Sequence, residues 1–203
     1  MSRNAQIGLT IGLLLVGAII LIGLSNRFTP HPSPKSTDAA RTTFVPVVHV
    51  VVPSGKPFEE VVAALEASTP RADFSLFDGP GASATPPEEV KKKLDALPDK
   101  DALLILARSD VGERQSLLVG KAVRARRYLI GNPQLAARMV EHNPAVLLYV
   151  PLQLLVYEDA QGATQLAYDK PTSLLSQFNN QRIVTVARML DEKMEDLVTK
   201  AAR

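Results

Sequence analysis

Apolar and polar positions divide the chain into three stretches. Ile7 to Leu24 is 18 residues without a charge. As a helix it would span about 27 Å at 1.5 Å per residue, close to the hydrocarbon core of a bilayer. Arg3 precedes it, and Arg27, Lys35 and Arg41 follow. Residues 1–28 therefore read as a transmembrane anchor. The alternative is a cleaved signal peptide, whose apolar core is usually shorter, roughly 7–15 residues. No A-x-A site is present, although Gly23 and Ser25 are small. Positive charge on both flanks leaves the orientation weakly set, and the short N-terminal tail favours N-in, C-out insertion. The expectation is a single-pass protein of the cell inner membrane with a periplasmic C-terminal domain. Residues 29–43 are rich in Pro, Ser and Thr, too polar to form a core and kept extended by their prolines. His31 lies in this linker as a solvated residue.

Residues 44–203 alternate strand and helix patterns. Phe44 to Val52 is nearly continuously apolar and β-branched, which predicts a buried strand ending at Pro53-Ser-Gly55. Phe58, Val61, Val62 and Leu65 follow a helical period, with Glu59 and Glu60 in the first turn. Ala72 to Phe77 is a short strand candidate. Gly79-Pro-Gly-Ala-Ser-Ala84 fails the phosphate-loop pattern and reads as a plain loop. Thr85-Pro-Pro-Glu88 predicts a capping box before a helix with Val90, Leu94 and Leu97 on one face and Lys91, Lys92 and Lys93 outside. Strands are expected over 101–107 and about 123–130, separated by a turn at Ser109-Asp-Val-Gly112. Asn132 and Pro133 predict a helix start, with Leu135, Met139 and Val140 inward. Val146–Glu158, the turn Asp159–Gly162 and Ala163–Tyr168 predict a hairpin. Leu154, Leu155 and Val156 place apolar residues on both faces of its first arm, as in a central strand. A short helix follows at Pro171–Phe178. The last helix carries the stripe Ile183, Val186, Leu190, Met194, Leu197 and Ala201. Together these predict an α+β fold with a mostly antiparallel or mixed sheet and helices packed on it, preceded by one transmembrane helix.

Composition narrows the chemistry. The 203-residue chain has no Cys, so disulfides, Cys-ligated metals and thiol nucleophiles are excluded. A net charge of +2 and few aromatics argue against nucleic-acid binding. The three histidines, His31, His49 and His142, lie far apart in sequence, and no metal site or cofactor is expected. No catalytic residue is identified. The stretch Glu113–Arg138 is distinctive, with six basic residues and a single acid. In a strand, Arg124 and Arg126 share a face, and Asn132 opens a helix whose free amides attract anions. Arg124, Arg126, Asn132, His142, Tyr149 and Tyr168 are therefore candidates for binding a small anionic ligand. The plainer reading is a solvated edge strand that its charges keep from aggregating.

Several motifs in order resemble one family. They are Tyr128-Leu-Ile-Gly-Asn-Pro133, Ala136-Ala-Arg-Met139, Leu148-Tyr-Val-Pro-Leu152, Val156-Tyr-Glu-Asp159 with Gly162, and Tyr168-Asp-Lys-Pro171. Ser173-Leu174, Gln177-Phe178 and the Val186–Asp191 helix add to them, and Phe58-Glu-Glu-Val-Val62 fits a first helix. From about Val45 to Ala202 the chain resembles the domain of unknown function 302 family. The resemblance implies a compact α/β domain that is often dimeric, with no established activity. Many relatives resemble Asp-His-Gly before the basic strand, whereas Asp110-Val-Gly112 stands here. The leading expectation is a membrane-anchored binding or interaction module whose last helix packs on its own sheet; the alternative for that helix is that it, or the sheet edge beside it, also builds a homodimer. The alternative is an enzyme or carrier for a small anion.

Overall fold

The computed structural model describes residues 40, 42–72, 86–96 and 100–203. The anchor, most of the linker, the strand candidate after Ala72, the Gly79–Ala84 loop, Thr85 and Leu97 lie outside the described residues. The unit Phe44–Arg203 is compact. Among the described residues no helix is long and apolar enough to cross a membrane.

The chain alternates as its pattern predicts. β1 (His49–Ser54) leads to α1 (Phe58–Ser68), then α2 (Pro87–Asp95), β2 (Leu104–Ser109), α3 (Val111–Val119), β3 (Ala125–Gly131) and α4 (Pro133–Val140). β4 (Leu152–Glu158), β5 (Thr164–Asp169), α5 (Pro171–Leu175) and α6 (Gln181–Ala202) complete it. The five strands form one sheet in the order β1-β5-β4-β3-β2, and every neighbouring pair is antiparallel. The fold is therefore α+β with an antiparallel sheet, and β4 is its middle strand. Val150–Pro151, just before β4, is a cis peptide.

One sheet face carries the core. Val50, Tyr168, Leu154 and Tyr128 form a row across β1, β5, β4 and β3, and Val52, Leu166, Val156 and Arg126 form the next. α1 buries the four predicted positions Phe58, Val61, Val62 and Leu65 against this face. α6 buries its whole stripe from Ile183 to Ala201 in the same core. The stripe is thus covered within the chain, as packing on its own sheet requires. The opposite sheet face is mixed, with Leu155 and Leu129 half-buried and Arg127 and Gln153 exposed.

Four expectations change. The first strand is an exposed edge that starts at His49, and Phe44 is 91% exposed. Its apolar run is broken by Pro46, which has no N–H to donate to a ladder. His49 sits on that edge, 2.7 Å from Asp169. The basic strand β3 is internal, between β4 and β2, so its charges do not protect an edge. The segment after Asp110 is the helix α3 rather than a turn; its apolar residues Leu117, Leu118 and Val119 face outward, so no buried stripe betrays it. Val146–Leu148 belongs to a 3-10 turn, Pro144–Leu148, opened by the Asn143 side chain accepting from the Ala145 amide.

Candidate functional site

The two ends of β3 hold different arrangements. At its start, Arg124, Arg126 and Tyr128 project to the core face by strand alternation. The Arg124 and Arg126 guanidiniums lie 5.2 and 5.6 Å from the centroid of the Phe58 ring. Arg124 pairs with Glu158 at 3.4 Å and Glu59 at 3.3 Å. Glu59 also meets Arg126 at 3.4 Å, and Arg126 pairs with Asp110. Asp110 lies 3.9 Å from Arg108, which pairs with Glu66 at 3.2 Å. The Tyr128 hydroxyl donates to Glu66 at 2.8 Å. The result is an unbroken chain of alternating charge in which three arginines face four carboxylates. Each of the three arginines thus meets at least one carboxylate.

Three of these groups have shifted pKa values: burial would lower that of Arg126, but the hydrogen bond and charge of Asp110 outweigh it and push it up. Burial, followed by the hydrogen bond to Glu66 and its charge, pushes the Tyr128 hydroxyl far above its ordinary value. Burial raises the Glu66 pKa, but hydrogen bonds from Tyr128 and Arg108 and the Arg108 and Arg71 charges outweigh it and hold the pKa below the ordinary value. Near pH 7 Tyr128 stays protonated and Glu66 ionised, so this pair does not supply a general acid or base poised at that pH. Gly112 fixes the arrangement. A Cβ there would stand 2.4 Å from the Ala125 nitrogen and the Val123 oxygen, so only glycine lets the first turn of α3 close on β3 beside Asp110.

At the other end of β3 a cavity of about 470 Å³ opens between Gly131–Pro133, α4, the segment Leu147–Leu152 and α6. Its walls include Leu106, Leu135, Met139, Val150, Pro151, Leu152 and Leu190. Leu147 is 58% exposed beside it. The polar side chain in the wall is Asn132, and its capacity is used. Its Oδ1 accepts from the Gln134 and Leu135 amides at 2.8 and 3.2 Å. Its Nδ2 donates to the Lys100 and Ala102 carbonyls at 2.9 and 2.8 Å. The cavity thus presents hydrocarbon and no unsatisfied side-chain polar group from Asn132. Its size is that of a small-molecule pocket.

The six sequence candidates fall in separate places. Arg124 and Arg126 do share a face, inside the neutralised charge chain. Asn132 is the N-cap of α4, as its position predicts, and lines the apolar cavity. His142 is exposed just beyond α4. Tyr149 stacks edge-on against Phe178, ring centroids 5.9 Å apart. Tyr168 is 3% exposed in the core row of β5, its hydroxyl pushed up by burial and by the charges of Glu195 and Asp191. None of these four takes part in the arginine–carboxylate chain. Sequence reasoning missed Glu59, Glu66, Asp110 and Arg108, the carboxylates and the cation that complete the charge chain. The period of α1 that sets Phe58, Val62 and Leu65 inward also places Glu59 and Glu66 seven residues apart on one side, which was the available signal. Among the described residues no group of three His, Asp or Glu side chains is arranged to hold a metal.

The comparisons agree with this fold. No curated protein matches the chain. The chain is similar to the crystal structure of an uncharacterized conserved DUF302 protein from Bacillus stearothermophilus, at 20% identity over 76% of this chain and 98% of that one, with a TM-score of 0.52. At that identity the likeness shows the fold alone. The profile of the domain of unknown function DUF302 matches residues 81–201, from before α2 through nearly all of α6, and leaves β1 and α1 outside. That match spans more than half of the chain and contains the Gly-Asn-Pro and Val-Pro-Leu segments that wall the cavity, so the protein is a member of the DUF302 family.

Proposed function

We propose that this protein is a membrane-tethered binding domain whose cavity beside α4 takes an apolar group. The observation that carries the reading is the wall chemistry: about 470 Å³ lined by aliphatic side chains, with Asn132 fully engaged elsewhere. Such a site gains affinity from buried hydrocarbon, roughly 25 cal/mol per Å² removed from water, and offers no side chain to grip a charge. The tether is the charge-free run Ile7–Leu24, which would hold the domain on the periplasmic side of the inner membrane.

Native mass spectrometry of the detergent-extracted full chain tests the pocket. Wild type should retain an apolar adduct. Ala136→Phe, which fills the cavity from α4, should lose it while remaining folded. Equal spectra for the two proteins would defeat the reading. Carbonate washing of membranes tests the tether separately: insertion is not screened by salt, so release of full-length chain into the supernatant would rule it out. A homodimer, where formed, would have to use a surface other than the buried stripe of α6.

A further inference from the structure

The wall of the apolar cavity continues onto the surface. Leu147 belongs to that wall and is 58% exposed, and Leu148 beside it is 80% exposed. Both lie on the 3-10 turn Pro144–Leu148. Exposed leucines scattered singly need no explanation, but adjacent ones that adjoin an apolar opening mark a surface that meets something apolar. Among the described residues the wall has no aromatic ring and no charged side chain. Ring-shaped ligands gain from contacts with aromatic side chains, and a polar group on a ligand would need a partner that the engaged Asn132 side chain does not supply. A flexible methylene chain needs neither. Met139, wholly buried in the same wall, is an unbranched thioether that adapts its shape to such a chain.

We propose that the cavity takes one acyl chain of a membrane phospholipid, with Leu147 and Leu148 seated in the bilayer and the headgroup left outside. This rests on the cavity and the tether as read above and names their ligand. A chain that reached the cavity through water would expose every methylene on the way. A rim seated in hydrocarbon removes that step. Two leucines alone would hold a free domain to a bilayer only weakly. The tether makes weak seating sufficient, because it turns the contact into an intramolecular one at high effective concentration. Residues 29–43, rich in proline, can extend by about 3.1 Å per residue, about 45 Å in all. That reach exceeds the radius of a domain this size, whose radius of gyration is about 15 Å, so the linker length lets the rim meet the membrane.

Vesicles of dioleoylphosphatidylglycerol carrying the full-length chain test the proposal in two ways. The chain has no Trp, so Leu148→Trp is a sole emitter. It should lose about half of its emission or more when the acyl chains are brominated. Gln161→Trp, exposed on the turn at the far end of β4, should change little. Native mass spectrometry after extraction should show wild type holding one more phosphatidylglycerol than Ala136→Phe. The double variant Leu147→Ser, Leu148→Ser should lose that lipid too while keeping the wild-type melting temperature. Equal quenching of the two tryptophans would overturn the proposal and leave the apolar cavity standing. So would an adduct lost in Ala136→Phe whose mass is not that of the supplied lipid. Identical adducts on wild type and Ala136→Phe would overturn the cavity reading and this one with it. A chain that does not float with the vesicles would overturn the proposal through its tether.

Discussion

One strand, β3, separates two ways of handling polar groups. At the Arg126 end, side chains satisfy one another: each arginine meets a carboxylate, and Phe58 lies under two of the guanidiniums. At the Gly131 end the backbone does the satisfying: Asn132 binds four main-chain groups, and what remains is hydrocarbon. The Arg126 end is rich in functional-looking residues, and its charges are matched within the chain. The Gly131 end has an inert-looking sequence and holds the apolar cavity.

The core joins the two ends, so breaking it should have the largest effect. Leu154 is wholly buried, with Tyr128 and Tyr168 as its cross-strand neighbours and no cation opposite. An unpaired buried carboxylate costs several kcal/mol or more, against a total stability of about 5–15 kcal/mol. Leu154→Asp should abolish the cooperative unfolding transition. Val156 is equally buried but stands opposite Arg126. Val156→Asp should lose less, because its new carboxylate can draw on that guanidinium. Urea unfolding followed by circular dichroism reads both; equal losses would mean that Arg126 is not free to shift from Asp110.

Next comes the Gly131 end. Asn132→Ala removes an N-cap and strips partners from the Lys100 and Ala102 carbonyls. Caps are worth about 0.5–2 kcal/mol, and a lost hydrogen bond to a part-buried carbonyl about 0.5–1.5. We expect a loss of about 1.5–4 kcal/mol in urea unfolding, together with loss of any retained apolar adduct. A loss under about 0.5 kcal/mol, the scale of an ordinary surface substitution, would show that water replaces the side chain and that the cavity is wet.

The two ends also differ in how far they can be read from sequence. The α4 start was legible because Asn and Pro act locally, through one cap and one fixed φ. α1 and α6 were legible because their stripes repeat at the helical period and are buried as written. The charge chain was not, because Glu59, Glu66 and Asp110 reach Arg124, Arg126 and Arg108 only after α1 packs across the sheet, a tertiary event with no local signature. β1 and α3 misled for a related reason. Both contain apolar residues that the fold leaves exposed, so hydrophobicity there does not report burial.

The charged end should show in the pH profile before it shows in single substitutions. Tyr128 and Tyr168 both have hydroxyl pKa values raised above 10.0 in the folded state. Their contribution is fully present below the unfolded value and is lost as pH rises toward the folded one, because the unfolded chain releases protons first. Stability should therefore fall above about pH 10, by up to about 1.4 kcal/mol per pH unit for each group. Tyr128→Phe should remove roughly half of that alkaline slope and leave the part due to Tyr168. At the acid end Glu66, lowered from 4.5, contributes stability that is present above that value and lost as pH falls through the folded one. Tyr128→Phe removes one of the bonds that lowers it and should make the acid limb shallower. An unchanged alkaline slope would mean that Tyr128 ionises freely and is not held by the core.

The smallest effect belongs to Glu59, the link between Arg124 and Arg126. Its side chain is 60% exposed and both contacts are at the outer edge of the cluster. Exposed ion pairs contribute about 0.2–1 kcal/mol, and salt screens them. Glu59→Gln should therefore cost no more than about 1 kcal/mol at low ionic strength and almost nothing in molar salt. Asp110→Asn should cost more and keep its effect in salt, because Asp110 meets Arg126, whose side chain is only 16% exposed. The contrast is measurable as a difference in salt slope between two urea series. If both variants respond to salt alike, the chain is uniformly solvated, and the Arg126 end of β3 is a surface network rather than an extension of the core. Neither variant should change adduct retention.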